Sequence, residues 1–177
     1  MLRKFACGAA ASALVCLSAG AASAHITLET QSAPIGSTYK AVMRVGHGCE
    51  GSPTLTVRVR IPEGVIAVKP MPKPGWDLDS VEGAYKQPYD YYGTPMTEGV
   101  REIVWTGRLL DKHYDEFVFR AYLTGSLAPD TTLYFPTVQE CEKGVERWIE
   151  IPAAGKGADD YKSPAPGVKL QRPKASD

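Results

Sequence analysis

Six residues carry the chemistry this chain could do: His25, His47, Cys49, Glu50, Cys141 and Trp148. His25 follows Ala22-Ser23-Ala24, small residues in the A-x-A pattern that precedes signal-peptidase cleavage. A cut after Ala24 would leave His25 with a free α-amine beside its own imidazole. That amine, with a reference pKa of ~8, and Nδ1 can close a six-membered chelate ring on a metal ion. Copper(II) favours a tetragonal field of nitrogen and oxygen donors, which makes His25 the first expected ligand and Cu(II) the expected ion. Zinc(II) fits the same donors less well.

His47 lies in a glycine-punctuated loop, His47-Gly48-Cys49-Glu50-Gly51, and reads either as a solvated loop histidine or as a second ligand. Cys7 and Cys16 belong to the leader, so the processed chain keeps Cys49 and Cys141. In an oxidising compartment these are expected to form one long-range disulfide. The other reading, thiolate ligands for copper(I), is disfavoured by their wide separation and the lack of a C-x-x-C motif. The bond would clamp the 47–50 loop to the start of the strand carrying Trp148 and bring Glu50, Glu140 or Glu142 towards its indole. On that strand the period of two groups Val145, Ile149 and Ile151 on one face and Trp148 with Glu146 and Glu150 on the other. An indole on a polar face asks for a loop packed over it, a partner or a site wall. Trp76 and Trp105 have apolar neighbours and are expected in the core. His113 sits among charged residues and is expected in solvent; Met43, Met71 and Met96 are scattered and read as filler.

Arg3 and Lys4, followed by an apolar stretch through Leu14, Val15 and Leu17, complete a secretion signal over residues 1–24 and point to the periplasm or exterior. The stretch is short and rich in small residues, so no stable membrane span is expected. Val15 before Cys16 argues against a lipid anchor. Processing leaves 153 residues with a formal charge of −2, about one domain. That balance gives no reason to expect a nucleic-acid partner.

These residues need a scaffold, and the patterning supplies strands. Leu55, Val57, Val59 and Ile61 alternate with Thr54, Thr56, Arg58 and Arg60, a half-buried antiparallel strand. Phe117, Phe119, Ala121 and Leu123 share one face of another. Further strands are expected at Ile26–Leu28, Thr38–Val45, Val65–Val68, from Trp76, at Arg101–Trp105, Thr131–Val138 and Val145–Ile151, with Tyr85–Tyr92 irregular. Pro70–Gly75 reads as a stiff link outside any central ladder. With no helical stripe and eight or nine short strands, the expected fold is an all-β sandwich of immunoglobulin or fibronectin-III type over residues 25–152. A loose tail is expected over residues 153–177.

Several segments in order and spacing resemble the YcnI-type copper-binding domain family of secreted bacterial proteins. They are His25-Ile26-Thr27-Leu28, Ala33-Pro34-Ile35-Gly36-Ser37, the run from Val57 through Arg60-Ile61-Pro62-Glu63-Gly64 to Val65, Pro74-Gly75-Trp76, Glu116-Phe117-Val118-Phe119 and Gly144-Val145-Glu146-Arg147-Trp148. The resemblance implies a β-sandwich that holds Cu(II) in a single-histidine brace, with a glutamate oxygen and a neighbouring tryptophan. By position the histidine is His25, the tryptophan Trp148 and the glutamate Glu50, slightly offset. His47 and Cys49 depart from the family pattern, and His47 stands as a substitute or supplement for the oxygen.

The function expected is copper binding without catalysis, in storage, delivery or homeostasis. A periplasmic copper chaperone or membrane copper transporter is the expected partner. Hydrolase chemistry finds no G-x-S-x-G or H-E-x-x-H to rest on. Two other readings stay open: a copper oxidase like the lytic polysaccharide monooxygenases, which add a second histidine, and a metal-free interaction module.

Overall fold

A computed structural model describes residues 25–173. The expected signal segment, residues 1–24, lies outside the described residues. In chain order the strands are β1 (Thr27–Leu28), β2 (Ser32–Pro34), β3 (Ser37–Val45), β4 (Thr54–Arg60), β5 (Val65–Pro70) and β6 (Asp77–Tyr91). There follow β7 (Thr94–Leu109), β8 (Asp115–Leu123), β9 (Thr132–Tyr134), β10 (Thr137–Cys141), β11 (Val145–Trp148) and β12 (Gly167–Gln171). One short 3-10 turn at Ala158–Asp160 is the only helical element among the described residues. The fold is the expected β-sandwich.

One sheet runs β1-β3-β8-β5 and the other β11-β10-β4-β7-β6. Alternation puts Tyr39, Ala41, Met43 and Val45 of β3 and Phe117, Phe119, Ala121 and Leu123 of β8 on the inner face of the first sheet. They meet Val57, Val59, Ile103 and Trp105 from the second, all buried. Trp105 is fully buried and Trp76 closes the core's edge, its ring 4.8 Å from that of Phe117. Met43 is core and Met71 exposed, in keeping with filler roles.

The β4 alternation fails at one end, for a local reason. Against β10, Thr54 and Thr56 face the adjacent Cys141 and Glu140, so β4 carries one extra residue and bulges there, and a bulge re-aims side chains. Thr54 therefore points inward and is fully buried, while Leu55 is only half-buried. The Tyr85–Tyr92 stretch is more regular than expected: it ends β6, whose pairing with β7 skips between Ala84 and Tyr89. Tyr92 and Gly93, with φ of 51° and 83°, form the two-residue turn that closes this hairpin. The expected strand Thr131–Val138 is two strands, broken around Pro136, which cannot donate to a ladder.

The expected tail after Pro152 is a correction. Residues 153–166 have little regular structure, but β12 pairs in parallel with β2 and antiparallel with β9 in a third, small sheet. Val168 and Leu170 are buried in the main core, apolar surface that a composition of Gly, Lys and Pro concealed. Leu170→Ala is accordingly expected to cost about 3 kcal/mol, as a large-to-small core change does. A melting temperature unchanged by that substitution would restore the loose tail.

Candidate metal centre

β1 pairs with the end of β3, Thr27 opposite Arg44 and Leu28 opposite Met43. Extending that register brings His25 alongside the Gly46–His47 exit of β3, so the first strand, folding back on the third, carries His25 to the same end of the sheet as His47. Arg44 Nη2 donates to Thr27 Oγ1 at 3.3 Å across this pair. The Tyr39 hydroxyl donates to the Thr30 carbonyl, and burial pushes its pKa well above the usual phenol value, so it remains a donor.

The His47 loop is tightly built. Cys49 and Ser52 exchange backbone hydrogen bonds of 3.2 and 2.9 Å around a two-residue turn, Glu50-Gly51, with φ of 49° and 80°. A Cβ on Gly48 would lie 1.8 Å from the Ser52 carbonyl oxygen, so only glycine fits there. The Gly48 N–H donates to Asp111 Oδ1 at 2.9 Å. The Cys49–Cys141 disulfide, with Cα atoms 5.8 Å apart, ties the loop to the end of β10 as expected.

The imidazoles of His25 and His47 both stand edge-on to Trp148. Their ring centroids are 5.6 and 6.3 Å from the indole, at interplanar angles of 62° and 75°. His47 Nδ1 lies against the Gly48 carbonyl oxygen, which can only accept, so Nδ1 is the donor of that pair. Trp148 is 3 % exposed, while Val145, Ile149 and Ile151 are exposed. The period of two thus groups Val145, Ile149 and Ile151 as expected, and it is the indole's face that turns inward. The indole is the larger apolar surface and its N–H has a buried acceptor, Gln139 Oε1 at 3.1 Å. His25 also lines a cleft of about 300 Å3, together with Thr27, Tyr134, Lys156 and Pro164.

The carboxylates do not join this group. Glu50 is exposed at the tip of its turn, and Glu140 and Glu142 pair with Arg58 and Arg108, each at 3.3 Å. Among the described residues no three histidine, cysteine, aspartate or glutamate side chains converge in a metal-holding cluster. The glutamate implied by the resemblance, Glu50, stands on that exposed turn. His113 is exposed, as expected.

Sequence reasoning passed over Gln139 and Thr54. Gln139 Nε2 donates to the His47 carbonyl oxygen and to Thr54 Oγ1, each at 2.7 Å. Its signal was present in the period of two, which puts residue 139 on the same side of its strand as Thr137 and the disulfide-bonded Cys141.

A two-sheet β-sandwich of immunoglobulin-like type with a histidine pair against a buried indole defines the class of protein. The chain belongs to the family described as "Domain of unknown function (DUF1775)", whose profile matches residues 25–170. This is the YcnI-like family domain, and the match begins at His25. Among solved structures the chain is similar to an uncharacterized protein from Nocardia farcinica whose crystal structure reveals an immunoglobulin-like fold. Identity is 22 %, the match covers 83 % of this chain and 98 % of that one, and the TM-score is 0.62. That likeness concerns the fold. A search of curated proteins gives no match. Among the described residues no helix is long and apolar enough to cross a membrane.

Proposed function

We propose that the processed chain is an extracytoplasmic Cu(II)-binding protein that carries the ion as cargo, in storage, delivery or homeostasis. One observation carries the reading: two imidazoles against a single buried indole, one of them on the residue that a signal peptidase would make the first. The α-amine and imidazole of His25 and the imidazole of His47 make a nitrogen-rich set of the kind Cu(II) prefers. Trp148 walls one side against water and the cleft beside His25 gives the ion its approach. Glu50 is left out of this ligand set. Release to a periplasmic copper chaperone or a membrane copper transporter is the matching role, because an open cleft suits exchange.

The test is Cu(II) titration of protein whose first residue is verified as His25. Tight uptake in a one-to-one ratio, weakened in His47→Ala, is the expected result; no uptake would leave a metal-free sandwich module. Copper(II) is also expected to quench indole emission, and Trp148→Phe to remove most of that quenching. Quenching that persists undiminished in this variant would put the ion nearer Trp76 or Trp105.

A second reading has one observation in its favour. With His47 on the same indole as His25, the donor set is an amine and two imidazoles, as in lytic polysaccharide monooxygenases. Oxidation of a polysaccharide with ascorbate or peroxide, lost in His47→Ala, would favour an oxidase over a carrier.

A further inference from the structure

We infer that Gln139 is the positioning residue of this centre, setting through one buried amide where both imidazoles stand. The inference rests on the copper-binding reading for its purpose, though not for its geometry. Gln139 lies mid-strand on β10 and is 1 % exposed. A primary amide offers two N–H donors and one carbonyl acceptor, and here each kind is used. The two N–H groups go to the His47 carbonyl oxygen and to Thr54 Oγ1, each at 2.7 Å, and Oε1 receives the Trp148 indole N–H at 3.1 Å.

The partners leave this amide one orientation. An indole N–H can only donate and a backbone carbonyl can only accept, so the oxygen must face Trp148 and the nitrogen must face His47. Turning the amide over would set donor against donor and acceptor against acceptor. The same group therefore fixes the plane of the indole that both imidazoles contact and the backbone of the loop that carries one of them. Thr54 completes the arrangement because the β4 bulge against β10 turns it inward. A buried amide satisfied on all sides is costly to disturb, and it couples the groups it touches.

The test replaces Gln139 with Met, similar in size and unable to make any of these bonds. Imidazole resonances of the metal-free protein are read by NMR, and Cu(II) affinity is measured by competition. In Gln139→Met the resonances of His25 and His47 are expected to move while that of the remote, exposed His113 stays in place, and Cu(II) affinity is expected to fall about tenfold or more. A general loss of structure would move all three. Unmoved His25 and His47 resonances would overturn the assignment. If wild-type protein takes up no Cu(II), the copper reading fails and the resonances alone decide the positioning role. Should Gln139→Met not fold, Thr54→Val removes one acceptor and keeps the amide. It is expected to move the same two resonances by less, and no movement there also overturns the assignment.

Discussion

Protein carrying even one residue ahead of His25 is expected to bind Cu(II) at least about 100-fold more weakly than protein starting at His25, about 3 kcal/mol or more at 1.4 kcal/mol per tenfold. An extra residue turns the α-amine into an amide, which has no lone pair to give without losing a proton. The three-carbon bridge between amine and Nδ1 then no longer closes a chelate, and His25 is left as a single imidazole. The comparison is a fair one because the fold does not depend on the change: β1 begins at Thr27, and His25 itself is only half-buried. Melting temperatures of the two forms should therefore agree while their affinities part. Equal affinities would mean that the amine is not a ligand, and the proposal built on His25 would fall with it.

The second large effect concerns the clamp. Replacing Cys49 and Cys141 together by Ala is expected to cost about 4 kcal/mol, the usual loss for releasing a loop of this order; the two cysteines are 92 residues apart in sequence. At this chain length that is a fall of roughly 10 °C in melting temperature. Copper affinity is expected to fall much less, because the His47 loop keeps two other ties. Gly48 still bonds Asp111 and the His47 carbonyl still bonds Gln139, both independent of the sulfurs. Thermal unfolding and Cu(II) competition on the same variant separate the two contributions. A melting temperature within about 2 °C of wild type would show that these hydrogen bonds alone hold the loop, a drop smaller than 1 kcal/mol.

What could be read from the sequence, and what could not, follows a physical line. Strong alternation reports which residues share a face. Val57, Val59 and Ile61 were legible for that reason, as were Phe117 and Phe119, and all are buried. It does not report which face is inside when each carries apolar groups. Along β11 and just beyond it Val145, Ile149 and Ile151 oppose Trp148, and the folded chain buries the indole, whose N–H meets Gln139 there. The disulfide was legible from compartment and count. The turn holding Glu50 was not, because its direction depends on the φ values of Glu50 and Gly51 rather than on residue type alone. Gln139 was missed because a lone polar side chain in a strand reads as solvent-facing until its partners are known. Those partners come from Thr54, 85 positions away, and His47, 92 positions away.

The pairing of β12 with β2 has a consequence for how the molecule comes into being. Lys169 donates its N–H to the Gln31 carbonyl, and Ile35 donates to Gln171, so the opening of the domain is stitched to nearly its last described residues. Contacts this distant in sequence form late. A chain synthesised amino end first has to wait, its early edge bare, until Gly167–Gln171 is delivered. A copy clipped before Gly167 would lack the strand that pairs with Ser32–Pro34, and that border would stay open to pairing with another chain.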